Sequence, residues 1–94
     1  MARITWTDQA ISDVEDICEY ISKDSFRYAQ LFADKIFTSV EKLATYPELG
    51  RTVPEFNISY IREIIQGNYR IVYRYLNDEV EILTVYHSAR LLDL

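Results

Sequence analysis

The chain has 94 residues, which fits one compact domain and leaves no room for a second core with a linker. Apolar residues make up 49% and charged residues 27%, a balance that excludes a disordered chain. No apolar run exceeds three residues, so we expect neither a membrane-spanning helix, which needs about 20, nor a signal peptide. The single cysteine excludes an internal disulfide, and no Cys/His cluster has metal-ligand spacing. The expected compartment is the reducing cytoplasm.

The net charge is −5, which argues against a protein that coats nucleic acid, because phosphate neutralisation needs positive surface. The charge is unevenly distributed. Residues 1–50 contain all three lysines and nine acidic residues, whereas all five basic residues of 51–94 are arginines. Arginine suits planar, bidentate recognition of carboxylate or phosphate, so we expect the chemistry in the second half.

The first half has the pattern of a strand followed by two helices. Residues 2–6 are β-prone, and Thr7 with Asp8 supplies a helix cap and an acid for the first turn. Apolar residues then recur at helical spacing, which predicts a helix over 8–23 and, after a short polar break, a second over 25–45. Two helices joined by so short a break predict an antiparallel helical hairpin.

The second half has the pattern of a loop followed by strands. Both prolines and one of the two glycines fall within 47–57, which predicts a loop. Three stretches rich in Ile, Val and Tyr are predicted strands: 60–65, 69–76 and 80–86. The predicted fold is α+β, a single domain over 1–94 with the order β-α-α-β-β-β and the helical hairpin packed on one face of a small antiparallel sheet. The conformation of the tail, 91–94, is left open.

The turns predict a strand register. A three-residue turn at 66–68 places Arg62 opposite Val72, and a two-residue turn at 77–78 places Arg74 opposite Glu81 as a cross-strand ion pair. The same register places Arg70 opposite Val85, with His87 on the diagonal.

This register assigns side chains to two faces of the sheet. The face predicted to lie open is cationic and partly apolar: Arg62, Ile64, Arg70, Val72, Arg74, Glu81, Leu83, Val85 and His87. The face predicted to lie under the helices is mostly apolar: Ile61, Ile65, Ile71, Tyr73, Ile82 and Tyr86, with Glu63 as the odd member. Arg62 and Arg70 are either solvated arginines or the binding site of an anion, and His87 is either structural or functional.

Five sequence segments, in order and with matching spacing, resemble the RelE/ParE toxin superfamily and lie closer to its ParE branch. They are Tyr46-Pro47-Glu48-Leu49-Gly50-Arg51, Val53-Pro54-Glu55, Ile61-Arg62-Glu63, Tyr69-Arg70-Ile71-Val72-Tyr73-Arg74 and Val85-Tyr86-His87-Ser88-Ala89-Arg90. The resemblance covers nearly the whole chain and implies the same β-α-α-β-β-β fold.

The resemblance implies the toxin of a bacterial type II toxin–antitoxin module. Such a toxin is held inactive by a cognate antitoxin, whose C-terminal segment wraps it as it folds on binding. Toxins of the ParE branch inhibit DNA gyrase by contact, and this is the expected function. The resemblance implies no cofactor.

The alternative is cleavage of messenger RNA on the ribosome, as in the RelE branch. In that case Arg62 and Arg70 would hold the phosphate, His87 would be the acid and Glu55 the base, provided that its loop folds over the sheet. A pI near 4.7 suits docking to the ribosome poorly, because that surface is dense with phosphate. Whether the chain is an enzyme therefore stays open in the sequence.

Overall fold

The computed structural model describes residues 1–88; Ala89 and Arg90 of the last motif and the tail, 91–94, lie outside that range. The elements in chain order are β1 (Arg3–Trp6), α1 (Asp8–Ser22), α2 (Phe26–Thr45), β2 (Arg51–Thr52), β3 (Ile61–Gln66), β4 (Tyr69–Leu76) and β5 (Glu79–His87). The predicted order is confirmed, with the short strand β2 added inside the predicted loop.

Side-chain caps set the starts of both helices. The Thr7 hydroxyl accepts the Ala10 amide at 3.0 Å, and the Ser25 hydroxyl accepts the Tyr28 amide at 3.2 Å, so each satisfies one donor of a first helical turn. Two helices of 15 and 20 residues result, within one residue of the predicted bounds.

The sheet has five strands in the order β1-β5-β4-β3-β2. Strands β2 to β5 are antiparallel to their neighbours, whereas β1 pairs with β5 in parallel, so the sheet is mixed. The α+β class and the helical hairpin on one face of the sheet are confirmed.

The core lies between hairpin and sheet: Ala10, Val14, Ile36, Val40, Leu43, Ile71, Tyr73, Val80, Ile82 and Val85. Neither helix of the described chain is apolar enough over sufficient length to span a bilayer.

The predicted register between β3 and β4 is wrong by one residue. The turn contains only Gly67 and Asn68, and Gly67 has a φ of 60°, as the first central residue of a type II′ turn requires. Because Gln66 belongs to the strand rather than to the turn, Arg62 lies opposite Tyr73 instead of Val72.

The predicted register between β4 and β5 is right near the turn and wrong beyond it. Arg74 lies opposite Glu81, and their ion pair, at 3.1 Å, confirms the prediction. A bulge then shifts the pairing by one residue, so Arg70 lies opposite Tyr86 instead of Val85. The Asp13 carboxylate of α1 holds this part of β5, since it accepts the Val85 amide at 3.1 Å.

These two shifts exchange several side chains between the faces of the sheet, because neighbouring residues of a strand point to opposite sides. Strand alternation places Arg62, Ile64, Val85 and His87 on the helical side, where they were not expected. The same shifts move four residues to the side opposite the helices: Ile61, Glu63, Ile65 and Tyr86.

Candidate functional site

Arg70 lies at the centre of an ionic network on the sheet face opposite the helices. Its two terminal nitrogens donate to the two carboxylate oxygens of Glu55 at 2.6 and 2.7 Å, and its Nε donates to Glu63 at 2.6 Å. Glu63 also accepts from Arg51 Nε at 2.7 Å. The side chains of Arg70 and Glu63 are only 6% and 0% exposed, so the centre of the network is buried.

The strand register positions this network. Arg51 lies directly opposite Glu63 across β2 and β3, and Arg70 lies on the diagonal from Glu63 across β3 and β4. The segment after β2 then folds back over the sheet face opposite the helices. Val53 and Val72 are fully buried there, and they are not part of the main core between the helices and the sheet. This folding brings Glu55 into contact with Arg70. The sequence analysis made any joint role of the two residues depend on such a fold of the loop that contains Glu55.

The network consists of two arginines, Arg51 and Arg70, and two glutamates, Glu55 and Glu63, so its charges cancel. Hydrogen bonds to Glu55 and Glu63 raise the pKa of Arg70 above its usual value, against the opposing effect of its burial. The guanidinium is therefore a permanent cation whose three nitrogens all contact carboxylates. A phosphate could reach it only by displacing Glu55, whose side chain is 19% exposed.

Arg62 belongs to a different set of contacts, which joins the loop after α2 to the sheet. We call this set the latch; it consists of Pro47, Gly50, Arg62 and Tyr73. The Arg62 guanidinium donates to the Gly50 carbonyl at 2.8 Å. The Tyr73 hydroxyl, opposite Arg62, accepts the Gly50 amide at 2.9 Å and donates to the Pro47 carbonyl at 2.8 Å. Burial raises the pKa of Tyr73. A Cβ at Gly50 would lie 2.6 Å from the Glu63 carbonyl, so the latch needs glycine there.

His87 lies at the end of β5, on the helical side. Its ring contacts that of Tyr69 edge to face, with 5.7 Å between centroids. It lines a cavity of about 340 Å³ between α1 and the sheet, together with Asp13, Asp16, Ile17, Tyr20, Tyr69, Val85 and Tyr86.

The structure brings together only two of the four residues proposed from the sequence, Glu55 and Arg70. Arg62 and His87 lie on the other side of the sheet and far apart, since their partners on β4, Tyr73 and Tyr69, are four residues or about 13 Å apart along the strand. Among residues 1–88, no three His, Cys, Asp or Glu side chains are grouped to hold a metal ion.

Sequence reasoning missed Glu63 and Arg51 as members of the network. The signal for Glu63 was present, since it is a carboxylate between Ile61 and Ile65, the two apolar residues that share its face of β3. A buried charge is costly unless it is paired, so such a residue predicts a buried arginine partner. For Arg51, the chain offers no comparable signal, because its contact with Glu63 depends on the pairing of a two-residue strand.

Comparisons with known proteins agree with this fold. The family model described as the ParE toxin of type II toxin–antitoxin system, parDE, matches residues 4–92. Toxin RelE2 of Caulobacter vibrioides is 34% identical over 92 residues, which cover 97% of this chain and 100% of that protein.

Two solved structures are also similar. One belongs to the chromosomal ParDE TA system from P. aeruginosa, with a TM-score of 0.76 and 20% identity, covering 93% of this chain and 96% of that one. The other belongs to the toxin–antitoxin complex RelBE2 from Mycobacterium tuberculosis, with a TM-score of 0.58 and 19% identity over 92% and 96% of the two chains. At these identities, the two structures establish the fold.

Proposed function

The chain belongs to the ParE toxin family of type II toxin–antitoxin systems, and from this premise we propose that it arrests growth by binding and inhibiting DNA gyrase, without cutting a bond in its target. A cognate antitoxin neutralises it, and both act in the cytoplasm. In this proposal the ionic network maintains the fold and takes no part in chemistry.

The observation that carries the proposal is the pairing of Arg70. Cleavage of RNA needs cations that stabilise a pentacoordinate phosphate. The cation in contact with the candidate base Glu55 is Arg70, the most buried arginine among residues 1–88. Its guanidinium contacts two carboxylates, which repel a phosphate at the same position. A toxin that acts by protein–protein contact needs no such cation.

The remaining candidate residues support the same proposal. Arg62 donates to backbone carbonyls of the latch, and His87 is on the opposite side of the sheet from the contact between Glu55 and Arg70. The pI near 4.7 also disfavours docking to ribosomal RNA, because binding to phosphate increases with positive surface.

Two observations keep messenger-RNA cleavage on the ribosome as a second candidate. One relative that is similar over its whole length is named Toxin RelE2. In addition, Glu55 and Arg70 are in contact, as a base and a phosphate-binding cation would be. This function requires the ion pair to open, so that Glu55 takes the proton of the ribose 2′-hydroxyl while Arg70 holds the phosphate; Arg62 and His87 lie on the other side of the sheet and take no part at this position.

Controlled expression without antitoxin distinguishes the two functions. Gyrase inhibition is expected to change plasmid topology and trap cleaved DNA while messages stay intact. Cleavage of messages linked to codons, together with its loss in Glu55→Gln, would refute the gyrase proposal and establish the alternative. Normal growth under expression of the folded chain would contradict both.

A further inference from the structure

The cavity beside His87, with a volume of about 340 Å³, has no role in the proposed function. It opens between α1 and the paired ends of β4 and β5, where Tyr69 lies opposite His87. We call it the α1 cleft. Its lining consists of two aspartates, four aromatic residues and two aliphatic ones, and no lysine or arginine of residues 1–88 is among them. Its volume lies within the range of small-molecule sites, about 300–1,000 Å³.

Helix α1 contributes an exposed carboxylate and an exposed ring to the cleft. Asp16 and Tyr20 are four residues apart, so their side chains are neighbours on one face of the helix. Both residues are accessible to a ligand in solution, since Tyr20 is 69% exposed and Asp16 is also exposed. None of the ion pairs formed within residues 1–88 includes Asp16. Its negative charge is therefore available to a cation from outside.

Asp13 adds a second negative charge to the same cleft, and this one is held in place. Its Oδ1 accepts from Gln9 Nε2 at 2.7 Å, and its Oδ2 accepts from the Thr84 hydroxyl and from the Val85 amide. These donors are neutral, so they orient the carboxylate without cancelling its charge. Helix α1 contains five acidic residues and no basic one, so no cation on the same helix offsets the charge. The resulting potential favours a cation in the cleft.

The sheet side of the cleft supplies an aromatic ring that is fixed by its neighbours. The ring of Tyr69 contacts those of Phe32 and His87 edge to face, with 4.8 and 5.7 Å between centroids. Because this ring is already ordered, a ligand that binds against it pays little for ordering it. Tyrosine rings attract cations through their π electrons, and arginine is the side chain that uses this contact most often.

We propose that the α1 cleft binds a guanidinium group, which stacks on Tyr20 and Tyr69 and pairs with Asp16, while Asp13 contributes fixed negative charge. A guanidinium fits better than an ammonium, because its plane stacks on a ring and its parallel N–H groups match a carboxylate. The group comes either from a free guanidine compound or from an arginine side chain of another protein, and the two sources share this chemistry. The site does not depend on the target proposed for the toxin.

The test is a titration of the purified chain followed by NMR, with N-acetyl-arginine amide as the probe and N-acetyl-citrulline amide as its control. Citrulline has nearly the shape of arginine but carries a neutral urea in place of the guanidinium, so the pair isolates the effect of charge. The arginine probe is expected to shift the signals of Tyr20 and Tyr69 with a Kd of about 1–10 mM, as a few partly exposed contacts allow. The citrulline probe is expected to bind at least about tenfold more weakly, because it loses both the ion pair and the cation–π contact.

Two pairs of variants locate the binding. Asp16→Asn removes the charge and keeps the shape, and is expected to raise the Kd of the arginine probe about two- to fivefold. Its control is Asp34→Asn, the same change at an exposed aspartate of α2 outside the cleft. Tyr20→Leu removes a ring and is also expected to raise the Kd about two- to fivefold. Its control is Tyr28→Leu, at a tyrosine of α2 that is 65% exposed and lies outside the cleft.

Both control variants are expected to leave the Kd unchanged, and thermal melts check that every variant folds. The proposal is overturned if the arginine and citrulline probes bind alike, or if the cleft and control variants change the Kd equally. Two further ligands distinguish the sources: agmatine, which is a free guanidine compound, and a five-residue peptide with one arginine between glycines. Tighter binding of agmatine supports the site and identifies a free compound, whereas tighter binding of the peptide supports it and identifies a protein side chain. Binding of neither overturns the proposal.

Discussion

Replacing Arg70 with methionine tests the structural role of the ionic network. The substitution keeps roughly the length of the side chain but removes both hydrogen bonds to Glu55. It also leaves Glu63, whose side chain is 0% exposed, with Arg51 as its remaining partner. Breaking a buried ion pair by removing one partner costs about 3–5 kcal/mol. A domain of this size has a free energy of unfolding of about 5–14 kcal/mol, so the loss is a large part of the total.

The matched control is Arg74→Met. Arg74 pairs with Glu81, but their side chains are 47% and 36% exposed, so its loss is expected to cost below about 1 kcal/mol. Urea denaturation followed by circular dichroism measures both variants, and the Arg70→Met variant should also melt at least about 12 °C lower. A cost below about 1 kcal/mol for Arg70→Met would refute the reasoning and favour a binding role for Arg70.

Three further variants test the latch and the bulge. Gly50→Ala is expected to lower the free energy of unfolding by about 1–3 kcal/mol, because the new methyl meets the Glu63 carbonyl at 2.6 Å; an unchanged urea midpoint would contradict this. Tyr73→Phe is expected to cost about 1–3 kcal/mol, since the Gly50 amide loses its acceptor. Burial raises the pKa of Tyr73 above that of the unfolded phenol, about 10, so Tyr73 contributes fully to stability below that pKa and less at higher pH. The decrease in the free energy of unfolding at alkaline pH that is due to Tyr73 should therefore be absent in the Tyr73→Phe variant. Asp13→Ala is expected to speed hydrogen exchange of the Val85 amide, and unchanged protection would show that Asp13 does not hold the bulge.

The helices and strands were predictable because their signals are local. Apolar spacing and the cap residues Thr7 and Ser25 define α1 and α2 within a residue of their bounds. The turn at Asn77 and Asp78, both with positive φ, has the type I′ geometry that a two-residue hairpin favours, and the register next to it was correct.

The faces of the sheet were less predictable because they depend on single residues. Assigning Gln66 to the turn rather than to β3 exchanged the faces of Arg62 and Glu63. The bulge in β5 depends on Asp13, which is more than 70 residues away in the sequence and reaches Val85 only once the helix packs on the sheet. No local pattern contains that contact.

The segments that identify the family are largely architectural in this chain. Gly50 is required by close packing against Tyr73, and Arg62 satisfies a carbonyl of the same turn. Glu55 and Arg70 pair with each other on the sheet face opposite the helices. The resemblance therefore predicted the fold well, whereas roles read from individual charged residues depended on a register that local sequence does not determine.

The most direct test of the central claim is a supercoiling assay with purified gyrase and purified chain. Inhibition, or accumulation of cleaved DNA, is expected as the chain is added, and its release is expected when the antitoxin is added in equal amount. Full gyrase activity at micromolar concentrations of folded chain, together with cleavage of messages on ribosomes by the same preparation, would contradict the account.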